Sequence, residues 1–292
     1  MANLKEIRNR ITSVNSTMQI TSAMKMVSAA KLKRATDAIV QMRPYAEKLQ
    51  EILGNLSSSL DASENPYTQQ REVKNVLIVA LTSNRGLCGG FNNYIIKETK
   101  RLINEEYKDQ EVTLLPVGKK VAEAFKSTKY SIHGSGLPSH PEKLWDDLNF
   151  NNVADVAEKI MKRFEEKQFD KVVLVYNAFK NAAVQILTTE QMLPIVPNES
   201  QESTAAADYI FEPSKEEIVT NLIPNSLKIQ LYKAMLDSNA SEHGARMTAM
   251  HKATDNATSL KKELQLFYNK ARQAAITNEI LEIVGGAEAL NG

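Results

Sequence analysis

Leu4, Ile7, Ile11, Val14 and Met18 step by three, four, three and four at the start of the chain. That spacing predicts the seam of a coiled coil. The apolar stripe then drifts through Met24, Val27, Leu32, Ala35, Ile39 and Met42, and continues past Pro44 through Leu49, Ile52, Leu53 and Leu56. Residues 1–43 contain neither Gly nor Pro. They predict one helix of about 65 Å at 1.5 Å per residue, with Pro44 kinking it or bending its path. The far end repeats the pattern. No Gly or Pro occurs from Ala245 to Val284, and Met250, Ala253, Ala257, Leu260, Leu264, Phe267, Ala271 and Ala274 keep the three-four spacing. Gly285-Gly286 is the expected stop of that helix. Residues 216–244 also read as helix, interrupted near Pro224.

The middle of the chain changes period. Val73–Leu81, Val112–Val117 and Lys171–Tyr176 are short, β-branched apolar runs separated by helical stretches at 91–107, 119–127 and 153–167. Such runs predict buried strands of an α/β unit. Residues 183–188 add a candidate strand after a turn near Asn181. Polar linkers at 57–70 and 198–207 frame the unit. Connectivity sets the topology, because one compact domain interrupts two seam-bearing helices, which must leave it and return to it. The expected fold class is α/β, a long antiparallel coiled coil of the N- and C-terminal helices with an inserted Rossmann-like α/β domain. The expected boundaries are 1–60 and 207–292 for the paired helices and 71–197 for the globular domain. Ile20, Met26, Leu266 and Ile276 lie off the seams, so a two-helix rod should leave them to solvent or to another protein.

Composition removes several classes of function. The 292 residues hold 36 Lys+Arg against 35 Asp+Glu, so no global basic field for nucleic acid exists. No apolar run is long enough to span a bilayer. One cysteine, Cys88, excludes an internal disulfide framework and a Cys-rich zinc site. Locally the first helix is basic, with Lys5, Arg8, Arg10, Lys25, Lys31, Lys33, Arg34, Arg43 and Lys48 against Glu6, Asp37 and Glu47. A cleaved transit peptide, a nucleic-acid face and a solvated or acid-facing protein surface all fit such a bias. The helical pattern running on to Leu56 argues against the first. The want of aromatics before Tyr45 argues against the second.

Ser83-Asn84-Arg85-Gly86-Leu87-Cys88-Gly89-Gly90 follows the first strand, where a nucleotide-binding fold keeps its phosphate loop. The glycine spacing fits neither common fingerprint. The alternative is a glycine turn that presents Arg85 and Cys88 at the surface. His133, His140, His243 and His251 are spaced too widely for an obvious metal site, and no cofactor is expected. Near the C-terminus, Arg272 and Gln273 stand among alanines, where a guanidinium could grip a carboxylate with two bonds.

Four segments in order carry a resemblance. They are LKEIRNRI with MQITSAMKMVSAAKL, SNRGLCGGFN, DYIFEP, and MTAMHKATDNA with LQLFYNKARQAAITNEILEIVGGA. Together they are similar to the gamma subunit of F-type ATP synthases. The resemblance implies a non-catalytic central rotor shaft. It would couple ion-driven rotation of a membrane c ring to ATP synthesis or hydrolysis in a hexamer of alpha and beta subunits. Epsilon would be a further partner, and the location would be peripheral, at the cytoplasmic face of a bacterial plasma membrane. It implies that Arg272, Gln273 and Thr277 hydrogen-bond a loop of beta. Met24, Arg85 and Cys88 would approach beta's acidic lever loop, and Tyr209, Phe211 and Glu212 would meet the c ring. Residues 280–289 would sit in an apolar collar of alpha and beta. The regulatory cysteine pair of the chloroplast form has no counterpart here. Two other readings remain open at this point: a coiled-coil scaffold without a rotary role, and a stand-alone nucleotide-dependent enzyme.

Overall fold

The computed structural model describes residues 4–57, 66–130, 136–195 and 215–291. In chain order these form α1 (Leu4–Ser57), β1 (Asn75–Leu81), α2 (Phe91–Arg101) running into a π turn (Leu102–Glu106), β2 (Glu111–Val117), α3 (Lys119–Phe125), a 3-10 turn (Pro141–Trp145), α4 (Phe150–Glu165), β3 (Lys171–Phe179), β4 (Gln185–Leu193) and α5 (Lys215–Asn291). The chain divides into two compact units, Met1–Ser28 with Met247–Gly292, and Ala29–Arg246.

The unit of residues 29–246 is built on a four-stranded sheet of order β2-β1-β3-β4. β1 pairs in parallel with β2 and with β3. Such a central strand is covered on both faces, which explains why Val76 to Leu81 are all buried and why the run is apolar at every position. Alternation divides it between two cores. Leu77, Val79 and Leu81 join Ile160 and Phe164 of α4 and Leu227 and Leu231 of α5. Val76, Ile78 and Ala80 join Ile95 of α2 and Val121 and Phe125 of α3. β4 returns antiparallel to β3. The tight turn between them explains this, because the Asn181 side-chain oxygen accepts from the backbone N–H groups of Ala183 and Val184. Ala35 and Ile39 of α1 pack against Leu236 and Ala240 of α5 as a third, smaller core.

The other unit is an antiparallel helix pair. Asn15 meets Lys261, Met18 meets Thr258, Thr21 meets Thr254 and Lys25 meets His251, so one number rises as the other falls. The observed seam keeps the apolar spacing at Leu4, Ile7, Ile11, Val14 and Met18, all buried or partly buried, and departs from it elsewhere. Thr21 and Ser28 are buried in α1, whereas Val27 is exposed. On α5, Thr254, Thr258 and Lys261 face α1, while Leu260 and Phe267 are left outside. Across the pair the Thr21 and Thr254 hydroxyls hydrogen-bond at 2.8 Å. Each of these hydroxyls, and that of Ser28, is also satisfied inside its own helix, Thr21 by the Met18 carbonyl, Thr254 by that of Met250 and Ser28 by that of Met24. Ile20, Met26, Leu266 and Ile276 are exposed, as their off-seam positions require.

α1 runs on past Pro44, as the stripe through Leu56 predicts, and two expected interruptions of α5 are absent, since it runs through both Pro224 and Gly285-Gly286 to Asn291. A Cβ on either Gly285 or Gly286 would meet nothing, so no packing contact draws the chain into a capping turn there. Two helical glycines cost only about 1 kcal/mol each, and the residues after them, Ala287 to Leu290, include good helix formers.

Candidate partner-binding surfaces

Among the described residues Ala271 is the last partly buried one of α5, and every residue from Arg272 to Glu288 is exposed. Arg272, Gln273 and Thr277 therefore stand free of the chain's own core. The Thr277 hydroxyl donates to the Gln273 carbonyl at 2.9 Å, which leaves its lone pairs facing outward. Ile276, Ile280, Leu281, Ile283 and Val284 are large apolar residues in the same stretch, all exposed. Isolated helices of this length are marginal in water, and a contiguous exposed apolar surface marks an interface. On α1, Met24 is half-buried, and the adjacent Met26 and Val27 are exposed.

The loop between β1 and α2 is cross-linked by its own side chains. Ser83 N–H donates to the Asn92 side-chain oxygen at 3.0 Å, and the Asn92 amide donates to the Ser83 hydroxyl and to the Cys88 sulfur. Asn84 bridges outward, accepting from the Lys119 N–H and donating to the Glu142 carbonyl. Leu87 and Gly89 both have positive φ, +64° and +59°. These two reversals put Leu87 outward, 65% exposed, and Cys88 inward at 1%. This corrects the expectation for the glycine turn: Arg85 lies at the surface and Cys88 does not. The Cys88 thiol packs with Phe91 and Ile95, and burial pushes its pKa up, so it is no poised nucleophile.

Sequence reasoning missed the group that holds this loop. Arg246 of α5 donates to the backbone carbonyls of Arg85 and Gly86 at 3.3 and 3.2 Å. Its other terminal nitrogen pairs with Glu242 at 2.5 Å, with both side chains almost buried. Burial raises the Glu242 pKa, and Arg246 opposes that rise. The available signal was the Glu-to-Arg spacing of four in a helix otherwise lined with small residues. A second cluster lies nearby in the fold. Tyr176 donates to Glu190, Gln230 donates to the other Glu190 oxygen, and Asp237 is buried 3.7 Å from Arg43.

His243 is half-buried beside Arg246 and Lys31, and burial first, then those charges, lower its pKa to about 4. His251 lies 3.4 Å from Asp255 and the same distance from Lys25. Among the described residues no three His, Cys, Asp or Glu side chains gather as a metal site, and no helix is long and apolar enough to cross a membrane. Tyr209, Phe211 and Glu212 lie outside the described residues, as does His133.

Comparison with known proteins bears on the whole chain. The family model described as ATP synthase matches residues 3–290. The ATP synthase gamma chain of Flavobacterium johnsoniae is 63% identical over the full length of both chains. That of Christiangramia forsetii is 59% identical, also over both full lengths. That of Chlorobaculum tepidum is 47% identical over 99% of each. Among solved structures, a chain of the central stalk and c ring of the Tetrahymena thermophila mitochondrial ATP synthase matches with TM-score 0.56 and 27% identity, covering 80% of this chain and 99% of that one. A chain of the Euglena gracilis mitochondrial ATP synthase shares the fold at TM-score 0.67 and 21% identity, with 98% and 94% coverage.

Proposed function

The chain belongs to the ATP synthase gamma chain family, and from that premise we propose how its surfaces transmit rotation. A gamma chain is a subunit of the synthase and part of its rotating central stalk, and the chemistry of ATP takes place on other subunits. For this chain the rotor partners are the c ring and epsilon, and the stator partners are the alpha and beta subunits. The complex sits at the cytoplasmic face of a bacterial plasma membrane, with this chain peripheral to it. The proposed shaft, residues 1–60 and 207–292, carries the globular part, residues 71–197, on the stretches of α1 and α5 that share its core.

The observation that carries this assignment is the bare stretch of α5. From Arg272 to Glu288 its apolar side chains have no cover from the described residues. A surrounding apolar collar of alpha and beta would supply that cover. The short list of charges in residues 280–289, Glu282 and Glu288, suits a surface that must slide without fixed ion pairs. Arg272, Gln273 and Thr277 offer directional bonds at the root of that stretch. Met24 with its exposed neighbours and the Arg85 loop offer separate contacts to the acidic lever of beta. Tyr209, Phe211 and Glu212 are the proposed contacts to the c ring.

The physical work is differential contact. Rotation favours one beta conformation over another only as far as the shaft binds the two unequally. Moving a two-state equilibrium from 1:99 to 99:1 needs about 5.5 kcal/mol of difference. One charge-assisted hydrogen bond supplies about 1.5–3 kcal/mol, so several contacts must act together at each angle. The test is reconstitution with alpha and beta from a related bacterium, followed by native mass spectrometry and observation of a bead fixed to the globular part. A three-to-three-to-one assembly whose bead turns during ATP hydrolysis is expected. A complex that hydrolyses ATP around a stationary chain would instead fit a scaffold and overturn the proposal.

A further inference from the structure

The sheet has the topology that in other folds creates a ligand crevice. The connection from β1 leads through α2 to β2 on one side, and β3 lies on the other side of β1, reached through α4. α2 covers one face and α4 the other. The carboxyl ends of β1 and β3 therefore mark a topological switch point, where doubly wound sheets receive nucleotides. Here that place is filled by the chain itself. Ser238 of α5 donates to the carbonyl of Leu81, the last residue of β1. Asn177, near the end of β3, donates to the Phe91 carbonyl at the start of α2. Arg246 takes the carbonyls of Arg85 and Gly86 in the intervening loop.

The polarity is the reverse of a phosphate loop. A phosphate loop turns its N–H groups toward an anion. This loop gives its Ser83 N–H to Asn92 and turns two carbonyls toward a cation, and that cation is built into α5. Glu242 completes the site by balancing the guanidinium charge. The bonded carbonyls belong to Arg85 and Gly86, two of the three consecutive exposed residues at the tip of the loop.

We propose that Arg246 is a positioning residue: as the internal ligand of the 83–90 loop, it fixes the height and direction of the Arg85 tip and is required for coupling between rotation and ATP turnover. This rests on the rotor function proposed above. A guanidinium suits the task because its planar fork reaches two carbonyls and a carboxylate at once, whereas an ammonium is a point charge that cannot span them in the same geometry.

Cys88 is the natural reporter, since it is the chain's one cysteine and lies buried beneath the loop that Arg246 holds. Arg246→Lys is introduced into the assembled, membrane-reconstituted complex. Two quantities are read, the labelling rate of Cys88 by a soluble thiol reagent, followed by mass spectrometry of this chain's peptide, and the ions pumped per ATP hydrolysed. Labelling about tenfold faster is expected, corresponding to the loss of one charge-assisted hydrogen bond, together with a clear fall in ions pumped per ATP. Glu242→Gln removes the charge of the pair but leaves Arg246 its two carbonyls, and should raise labelling less than about twofold, within the range of a surface-type perturbation. Unchanged labelling in Arg246→Lys would overturn the clamp. Faster labelling with unchanged coupling would overturn its role in rotation. Loss of assembly in Arg246→Lys would make it a folding residue and also overturn the proposal. Failure of the wild-type chain to assemble would instead strike the rotor function, and Cys88 labelling of the free chain would then decide the clamp by itself.

Discussion

Replacing Arg272 and Gln273 together by alanine is the sharpest perturbation of the bare helix. Both residues are exposed on a stretch that has lost its α1 partner, so the fold should register the change by no more than about 0.5 kcal/mol. Alanine is also the best helix former, and neighbours Ala271, Ala274 and Ala275 show that the helix accepts it. The cost should appear only in the complex. A guanidinium gripping a carboxylate contributes about 1.5–3 kcal/mol and a neutral amide bond about 1 kcal/mol. Losing both from one rotary state but not the next would raise a barrier by about 2.5–4 kcal/mol. If that state limits the cycle, turnover falls about 60- to 900-fold, and if it limits only in part, about tenfold. The assay is steady-state ATP hydrolysis by the purified complex, with assembly checked by size-exclusion chromatography and helix content by circular dichroism. Arg272→Lys should recover part of the rate, because one donor survives of the original fork. A fully assembled double-alanine complex turning over within about twofold of wild type would refute the contact and the differential-binding account built on it.

Asp237→Asn should stabilise the chain at neutral pH. Burial raises the carboxyl pKa of Asp237 against the pull of Arg43 and Lys233 and of the Phe179 N–H. A raised carboxyl pKa means that the folded state prefers the proton, so the charge costs stability as pH rises above the ordinary value of 3.8. The gain in thermal midpoint should therefore be larger near about pH 8 than near about pH 4, and a gain independent of pH would contradict the burial cost. Gly118→Ala should prevent folding, because φ there is +133° and a Cβ would lie 2.1 Å from the Thr82 carbonyl oxygen. Soluble expression at the wild-type level would refute that. Ala240→Leu should cost about 1–3 kcal/mol by overpacking the junction with Ala35 and Ile39, read from urea unfolding, and an unchanged midpoint would show that the junction has room.

Much of the architecture could be read from spacing. The three-four steps of the two ends and the β-branched runs between them are local properties of the chain, fixed by helical and strand geometry. They predict the long α1 and α5 and the strands now seen as β1, β2 and β3. The exposed Arg272-to-Thr277 stretch was legible because small alanines around two hydrogen-bonding side chains leave a helix little to bury. Helix ends were read less well. Pro224 and Gly285-Gly286 are breakers by propensity, yet propensity is a cost of about 1–3 kcal/mol that a long helix absorbs when no competing turn is packed against it.

The sequence alone determined which segments are helices and strands and that both ends carry a seam, because those properties depend on neighbours two to four positions away. Only the tertiary structure decided which residues face one another. The phase of one helix against another is set by which side chains meet across the pair, and this put Thr21 and Ser28 inside, joined Thr21 to Thr254 and left Val27, Leu260 and Phe267 outside. The same holds for the loop after β1. Two positive-φ residues turned Cys88 into the core, and Arg246 reached the loop across 161 positions of sequence. A contact of that kind has no local period, since it exists only once the sheet has brought the ends of β1 and β3 beneath α5.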